Sequence, residues 1–134
     1  MISPEEAIGR GLSAEGGPVV LVETADCAGG GAAGDSVASL RALLAHEGVR
    51  DALVPVVDPE AARRCHEAGL GAEITLSLGH RMDPRWGTPL EVSGTVLRLS
   101  DGAFRYRGGI WDDVAGDMGP SACLLYTSPS PRDS

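Results

Sequence analysis

Hydrophobic residues follow different periods in the two halves of the chain. In the first half they form two unbroken runs, "PVVLVE" (Pro18 to Glu23) and "ALVPVV" (Ala52 to Val57). Continuous β-branched runs of this length suit strands buried on both faces, as in a parallel sheet. Pro55 removes one ladder donor, which is compatible with an edge or irregular position. Between the runs, Val37, Leu40, Leu43 and Leu44 fall on one helical stripe. The spacing predicts a helix from about Asp35 to His46, with Asp35 as N-cap and Gly48 as its stop. A second helix is predicted in "DPEAARRCHEAGLG", where Asp58 caps, Pro59 takes the first position and Gly69 closes. "SPEE" begins a short N-terminal helix: Ser3 at the N-cap, Pro4 next and Glu6 completing a capping box.

After residue 70 the period shortens to two. Ile74, Leu76 and Leu78 share one face of "EITLSLG", and Leu90, Val92 and Val96 share one face of the following stretch, which Gly94 interrupts. Ser100 to Ala103 reads as a tight turn centred on Asp-Gly. The expected fold class is α/β. A strand–glycine-rich loop–helix–strand–helix unit comes first, then an antiparallel β meander incomplete at its C-terminal end.

Composition narrows the function. Among 134 residues, 43% are hydrophobic and only five are aromatic, so a core must be built from aliphatic side chains. The net charge of −8 argues against nucleic acid, whose phosphates require clustered Lys and Arg. No apolar run approaches the roughly 20 residues that span a bilayer, and the acidic N-terminus lacks an apolar leader core. The three cysteines show no C-x-x-C spacing, which points to reduced thiols and a cytoplasmic location.

The segment Cys123 to Ser134, "CLLYTSPSPRDS", stands apart. It has no periodicity and contains two Ser-Pro steps. It is similar to the translation of a transposase-type sequencing adapter; an ordinary disordered terminus is the alternative. The expected organisation is a partial domain over residues 1–122 and a non-native tail over 123–134. A sheet cut short in this way exposes an edge, so the chain alone is expected to be marginally stable or prone to aggregate.

Candidate chemistry centres on "ETADCAGGGAAGDS", Glu23 to Ser36, a glycine-rich loop between a strand and a helix. Such a junction can hold an anion on free N–H groups and the helix dipole. Here there is no Lys-Ser/Thr after the last glycine, and Asp35 puts negative charge where a phosphate would sit. A turn needed only for its backbone geometry and a loop shaping a substrate pocket both remain open. Asp26 is the stronger functional candidate of the two aspartates, because ligands of α/β sheets bind at strand carboxyl ends. His46, His66 and His80 lack metal-ligand spacing. His80, in "GHRMDPRWG", is placed to line a surface. Cys27 near a helix start has no base beside it in sequence. Trp86 and Trp111 read as packing or interface residues.

"TADCAGGGAAGDS" resembles the glycine-rich signature of the C-terminal domain of the microcystinase C (MlrC) family. "EEAIGRGLSAEGGPVVLVETAD", "DPEAARRCHEAGLGAEITLSLG", "GTPLEVSGTVLRLSDGAF" and "GDMGPSA" resemble the family's flanking stretches in order, covering about residues 3–122. Cys27-Ala28 replaces the family's Asn-Pro, Ser36-Val37 departs at the helix start, and His80 stands where glycine is frequent. The resemblance implies a C-terminal part of a bacterial zinc metallopeptidase-like protein. The zinc ligands and catalytic acid belong to an N-terminal domain outside this sequence, and no metal ligand carries over to any position here. The implied partners are that catalytic domain and a peptide substrate. Asp26, Gly29, Gly30, Gly31, Gly34 and Asp35 are expected to help close the substrate cleft. The glycines would let a peptide lie close and expose N–H donors to it. The alternatives are a small-anion-binding module and a purely structural or oligomerisation domain.

Overall fold

The structure is a computed structural model and describes residues 2–126. The expected tail falls partly outside this range, from Thr127 on. Its first four residues, Cys123 to Tyr126, lie in a strand. The chain divides into two compact units, one of residues 1–57 and 78–90, the other of 58–77 and 91–134.

In the first unit, helix α1 (Pro4–Leu12) begins as its sequence dictates. Ser3 Oγ accepts the Glu6 N–H at 3.2 Å, and Pro4 occupies the first turn, where a missing donor costs nothing. Helix α2 spans Ala38–Ala45 and packs on α1. Ile8, Val37 and Ala42 form the buried centre. Helix α2 starts three residues later than the sequence predicts. Its N-cap is Val37, without a side-chain hydrogen bond. Asp35 does not cap it, because its carboxylate is engaged elsewhere.

The runs Pro18–Glu23 and Ala52–Val57 belong to no strand ladder among the described residues. Their large side chains are partly or largely exposed rather than buried on both faces. β-branched residues favour an extended backbone, but a strand needs a hydrogen-bonding neighbour. Among the described residues these runs have no ladder partner; the backbone bond they make is the one from the Val57 N–H to the Gly34 carbonyl at 2.9 Å.

The second unit carries the antiparallel meander and helix α3 (Pro59–Ala68). Asp58 caps this helix, its Oδ1 accepting from the Ala61 N–H at 3.0 Å, and Gly69 ends it at φ +86°. Strands β1 (Glu73–Leu78), β2 (Leu90–Ser100) and β5 (Ser121–Tyr126) form a sheet in the order β1-β2-β5. Strands β3 (Ala103–Arg105) and β4 (Ala115–Asp117) form a separate antiparallel pair between β2 and β5 in sequence. The alternation read from the sequence is realised: Leu76, Val92 and Val96 are buried together with Ala61 and Cys65. A register shift between Val96 and Arg98 reverses the phase of β2 and leaves Leu97 exposed. Gly94 admits β5, since a Cβ there would lie 2.5 Å from the Leu125 carbonyl oxygen. The fold is thus mixed α/β with a β meander.

Candidate functional site

The glycine-rich loop is held together by its own first aspartate. Asp26 Oδ1 accepts the Gly34 N–H at 3.0 Å, and Oδ2 accepts the Ser36 N–H at 2.7 Å. Inside that brace, Ala28–Gly30 forms one 3-10 turn. The Cys27 carbonyl accepts from Gly30 and Ala32, at 2.9 and 3.2 Å, and the Ala28 carbonyl accepts from Gly31 at 3.0 Å. Five loop amides are therefore satisfied within the loop. This corrects the expectation that the loop would present its N–H groups to a ligand: those five point to internal acceptors. The same geometry removes the basis for a phosphate cradle, which depends on free donors.

Two glycines of the loop are required by backbone conformation. Gly31 has φ +90° and Gly34 has φ +72°, and a Cβ on Gly34 would meet Val57 Cγ2 at 3.1 Å. Gly34 also accepts the Val57 N–H at 2.9 Å, tying the loop to the second apolar run. Gly29 and Gly30 are exposed; added Cβ atoms there would meet nothing closer than 3.7 Å. Their lack of side chains keeps the outer surface of the turn low.

Asp35 is 2% exposed and pins a second loop. Its Oδ2 accepts the Met82 N–H at 2.7 Å and the Asp83 N–H at 3.3 Å, while its carbonyl accepts the His80 N–H at 2.9 Å. The two aspartates flanking the glycines thus share one kind of work. Asp26 closes the first loop, and Asp35 joins it to the loop of residues 79–87. Both oxygens of Asp26 and Oδ2 of Asp35 accept backbone N–H groups.

The second loop depends on two further glycines. A Cβ at Gly79 (φ +78°) would lie 2.5 Å from both the Asp35 carbonyl oxygen and Val37 Cγ1. A Cβ at Gly87 would lie 2.4 Å from His80 Nε2, so the imidazole rests against a bare backbone. His80 is 7% exposed, adopts φ +51°, and its buried Nδ1 has no hydrogen-bond partner among the described residues. Asp83 holds the Arg85 guanidinium in a two-point contact, at 2.8 Å for each nitrogen. That hydrogen bonding, foremost, brings the Asp83 carboxyl down to about 2.

Together the loops border a cavity of about 740 Å³ lined by Asp26, Gly31, Asp35, His80, Met82 and Trp86 among others. Three of the six residues expected at a cleft border it. Gly29, Gly30 and Gly34 are not in its lining, although Gly34 fixes the loop that is. Met82 and Trp86 are exposed at the cavity and contribute most of its large apolar side chains. Residues 82–87 were missed as a site in the sequence. The usable signal was "GHRMDPRWG", an aromatic and a histidine enclosed by two glycines.

The remaining candidates lie elsewhere. His46 Nδ1 accepts the Gly48 N–H at 3.1 Å, and His66 Nε2 lies 3.1 Å from the Ser121 carbonyl oxygen. Cys27 is exposed, whereas Cys65 is buried and burial pushes its thiol pKa up, against the effect of Arg64. Among the described residues, no group of three or more His, Cys, Asp or Glu side chains could hold a metal ion. No helix among the described residues is long and apolar enough to cross a membrane.

A mixed α/β domain with a braced glycine-rich loop beside a cavity is the class these features define. A protein-family model described as "MlrC C-terminus" matches residues 21–128, and the chain belongs to that family. Microcystinase C from Sphingomonas sp. is 40% identical over 84 residues, which is 63% of this chain and 17% of that protein. A crystal structure from Mesorhizobium sp. BNC1, described as "Putative metallopeptidase", superposes with a TM-score of 0.79 at 29% identity. It covers 92% of this chain and 25% of its own. The chain therefore spans a quarter or less of the length of these relatives.

Proposed function

We propose that the chain is the C-terminal portion of a longer metal-dependent peptide hydrolase, inactive alone, and that its two loops form one wall of the substrate cleft. The cavity carries this reading. The family's signature loop and residues of the 80–86 segment border it together, with Met82 and Trp86 exposed and His80, whose buried Nδ1 has no hydrogen-bond partner among the described residues, in the lining. A peptide binds to such a wall through apolar contact and a few fixed polar groups. Asp26 and Asp35 act as positioning residues that set the loops, and Gly31, which borders the cavity without a side chain, lets a peptide backbone come close.

In this reading the zinc and the groups that activate water belong to the remainder of the polypeptide; among the described residues no group of three or more His, Cys, Asp or Glu side chains could hold a metal ion. When bound there, the metal supplies a Lewis acid and a nucleophilic water. This domain supplies binding and orientation, which lower the barrier by holding the substrate in register.

The test uses a full-length polypeptide carrying this domain, with Trp86→Ala and Met82→Ala introduced separately. Both side chains are largely exposed, so folding and metal content are expected to persist. The expected result is a KM for peptide raised about fivefold or more, with a smaller change in kcat, as for loss of uniform binding. Peptide turnover unchanged in both variants, at normal metal content, would remove the cleft assignment.

A further inference from the structure

We infer that the runs Pro18–Glu23 and Ala52–Val57 are strands of an unfinished sheet, and that strands from the rest of the parent polypeptide complete it. Each run shows a period of two in its exposure, the mark of an extended chain. Val19 and Leu21 are 46% and 48% exposed, while Val20 and Val22 are 77% and 78% exposed. The covered side is defined: Val19 Cγ1 and Leu21 Cδ2 lie over Gly11 of α1, 3.4 and 3.7 Å from where a Cβ would stand. In the second run Val54 and Val56 are half-buried, while Leu53 at 87% and Pro55 are exposed. Both runs thus cover one face and leave the other bare.

The backbone is equally incomplete. Residues 18–23 and 52–56 make no backbone–backbone hydrogen bond among the described residues. Unpaired N–H and C=O groups flanked by bare β-branched side chains form a template for strand addition. Solvent is a poor partner for two such apolar runs in one unit.

The occupant follows from length. Matched residues make up 25% of the Mesorhizobium relative, leaving three quarters of that polypeptide outside the match. Strands drawn from that remainder would pair with the bare backbone and cover Val20, Val22 and Leu53. This rests on the reading of the chain as part of a longer polypeptide, but not on its assignment to a substrate cleft. Amide exchange tests the sheet, whereas peptide turnover tests the cleft.

The experiment is hydrogen–deuterium exchange on the 134-residue chain and on a full-length polypeptide carrying it. In the isolated chain, amides of Val19 to Val22 and Leu53 to Val56 (Pro55 has none) are expected to exchange near the unprotected rate. In the monomeric full-length protein they are expected to slow by about 100-fold or more, as for ladder amides. A second variant, Val20→Asp with Val22→Asp, is expected to leave the isolated chain's helix content unchanged while making the full-length protein sensitive to limited proteolysis. Fast exchange at these amides in the full-length protein would overturn the inference. So would protection in the isolated chain at every concentration, or protection that appears only on dimerisation, which would make a second copy the occupant.

Discussion

Replacing Asp35 with alanine tests the link between the two loops. The side chain is buried, and one oxygen, Oδ2, takes two backbone donors from residues 47 and 48 positions away. The 2.7 Å bond from Met82 is short and charge-assisted, and a hydrogen bond to a charged group contributes about 1.5–3 kcal/mol. The 3.3 Å bond from Asp83 is longer and weaker. Removing both leaves two loop N–H groups unsatisfied or open to water, for a loss of about 2–4 kcal/mol. Asp35→Asn retains one acceptor oxygen and loses the charge, so about half of that loss is expected. Denaturant unfolding gives the global change, and exchange at the Met82 amide gives the local one. The Met82 amide should lose protection first, because the alanine variant removes the Asp35 oxygen that accepts from it at 2.7 Å. If Asp35→Ala unfolds within about 0.5 kcal/mol of the parent chain and the Met82 amide keeps its protection, Asp35 is not the pin described here.

Within the glycine-rich loop, Gly34→Ala and Gly30→Ala should separate. The first forces a left-handed conformation on an L-residue, costing about 1–2 kcal/mol, and presses a methyl 3.1 Å from Val57 Cγ2. The second meets nothing nearer than 4.0 Å and should change stability by under about 0.5 kcal/mol; equal losses measured by denaturant unfolding would contradict the backbone argument. The Asp83 carboxyl is depressed in the folded chain to about 2, below its ordinary value of 3.8. Its proton-linked contribution is therefore fully present above about pH 4 and is lost as pH falls through about 2. A carboxyl-shift titration should place its midpoint well below 3.8, and a midpoint at or above that value would show that the Arg85 contact does not persist in solution.

Local rules carried much of the fold. Ser3, Asp58 and Gly69 act where their spacing places them, because capping is decided within three or four residues. The period-two stretches became β1 and β2 for the same reason: alternation needs only one apolar face and one wet face. What failed to be legible depends on distant partners. Asp35 has the composition of an N-cap, yet its acceptor capacity goes to Met82 and Asp83. Nothing within a helical turn reveals that choice. Asp26 stands out in the sequence as an acid following an apolar run, but that it braces Gly34 and Ser36 depends on residues eight and ten positions away. The apolar runs read as doubly buried strands from their composition alone, which does not reveal whether a pairing strand is present; among the described residues they have none. At the site, the glycine-rich loop was conspicuous by composition. Met82 and Trp86 were not, because an exposed apolar side chain in a loop has no periodicity to mark it.

The most direct measurement is photo-crosslinking of a peptide substrate, carrying a photoreactive side chain, to a full-length polypeptide that contains this domain. Residues 31–33 and 82–86 are expected among the labelled sites, with labelling suppressed by excess unmodified peptide. Specific labelling confined to the rest of the polypeptide, with none on either loop, would contradict a cleft wall built from this domain.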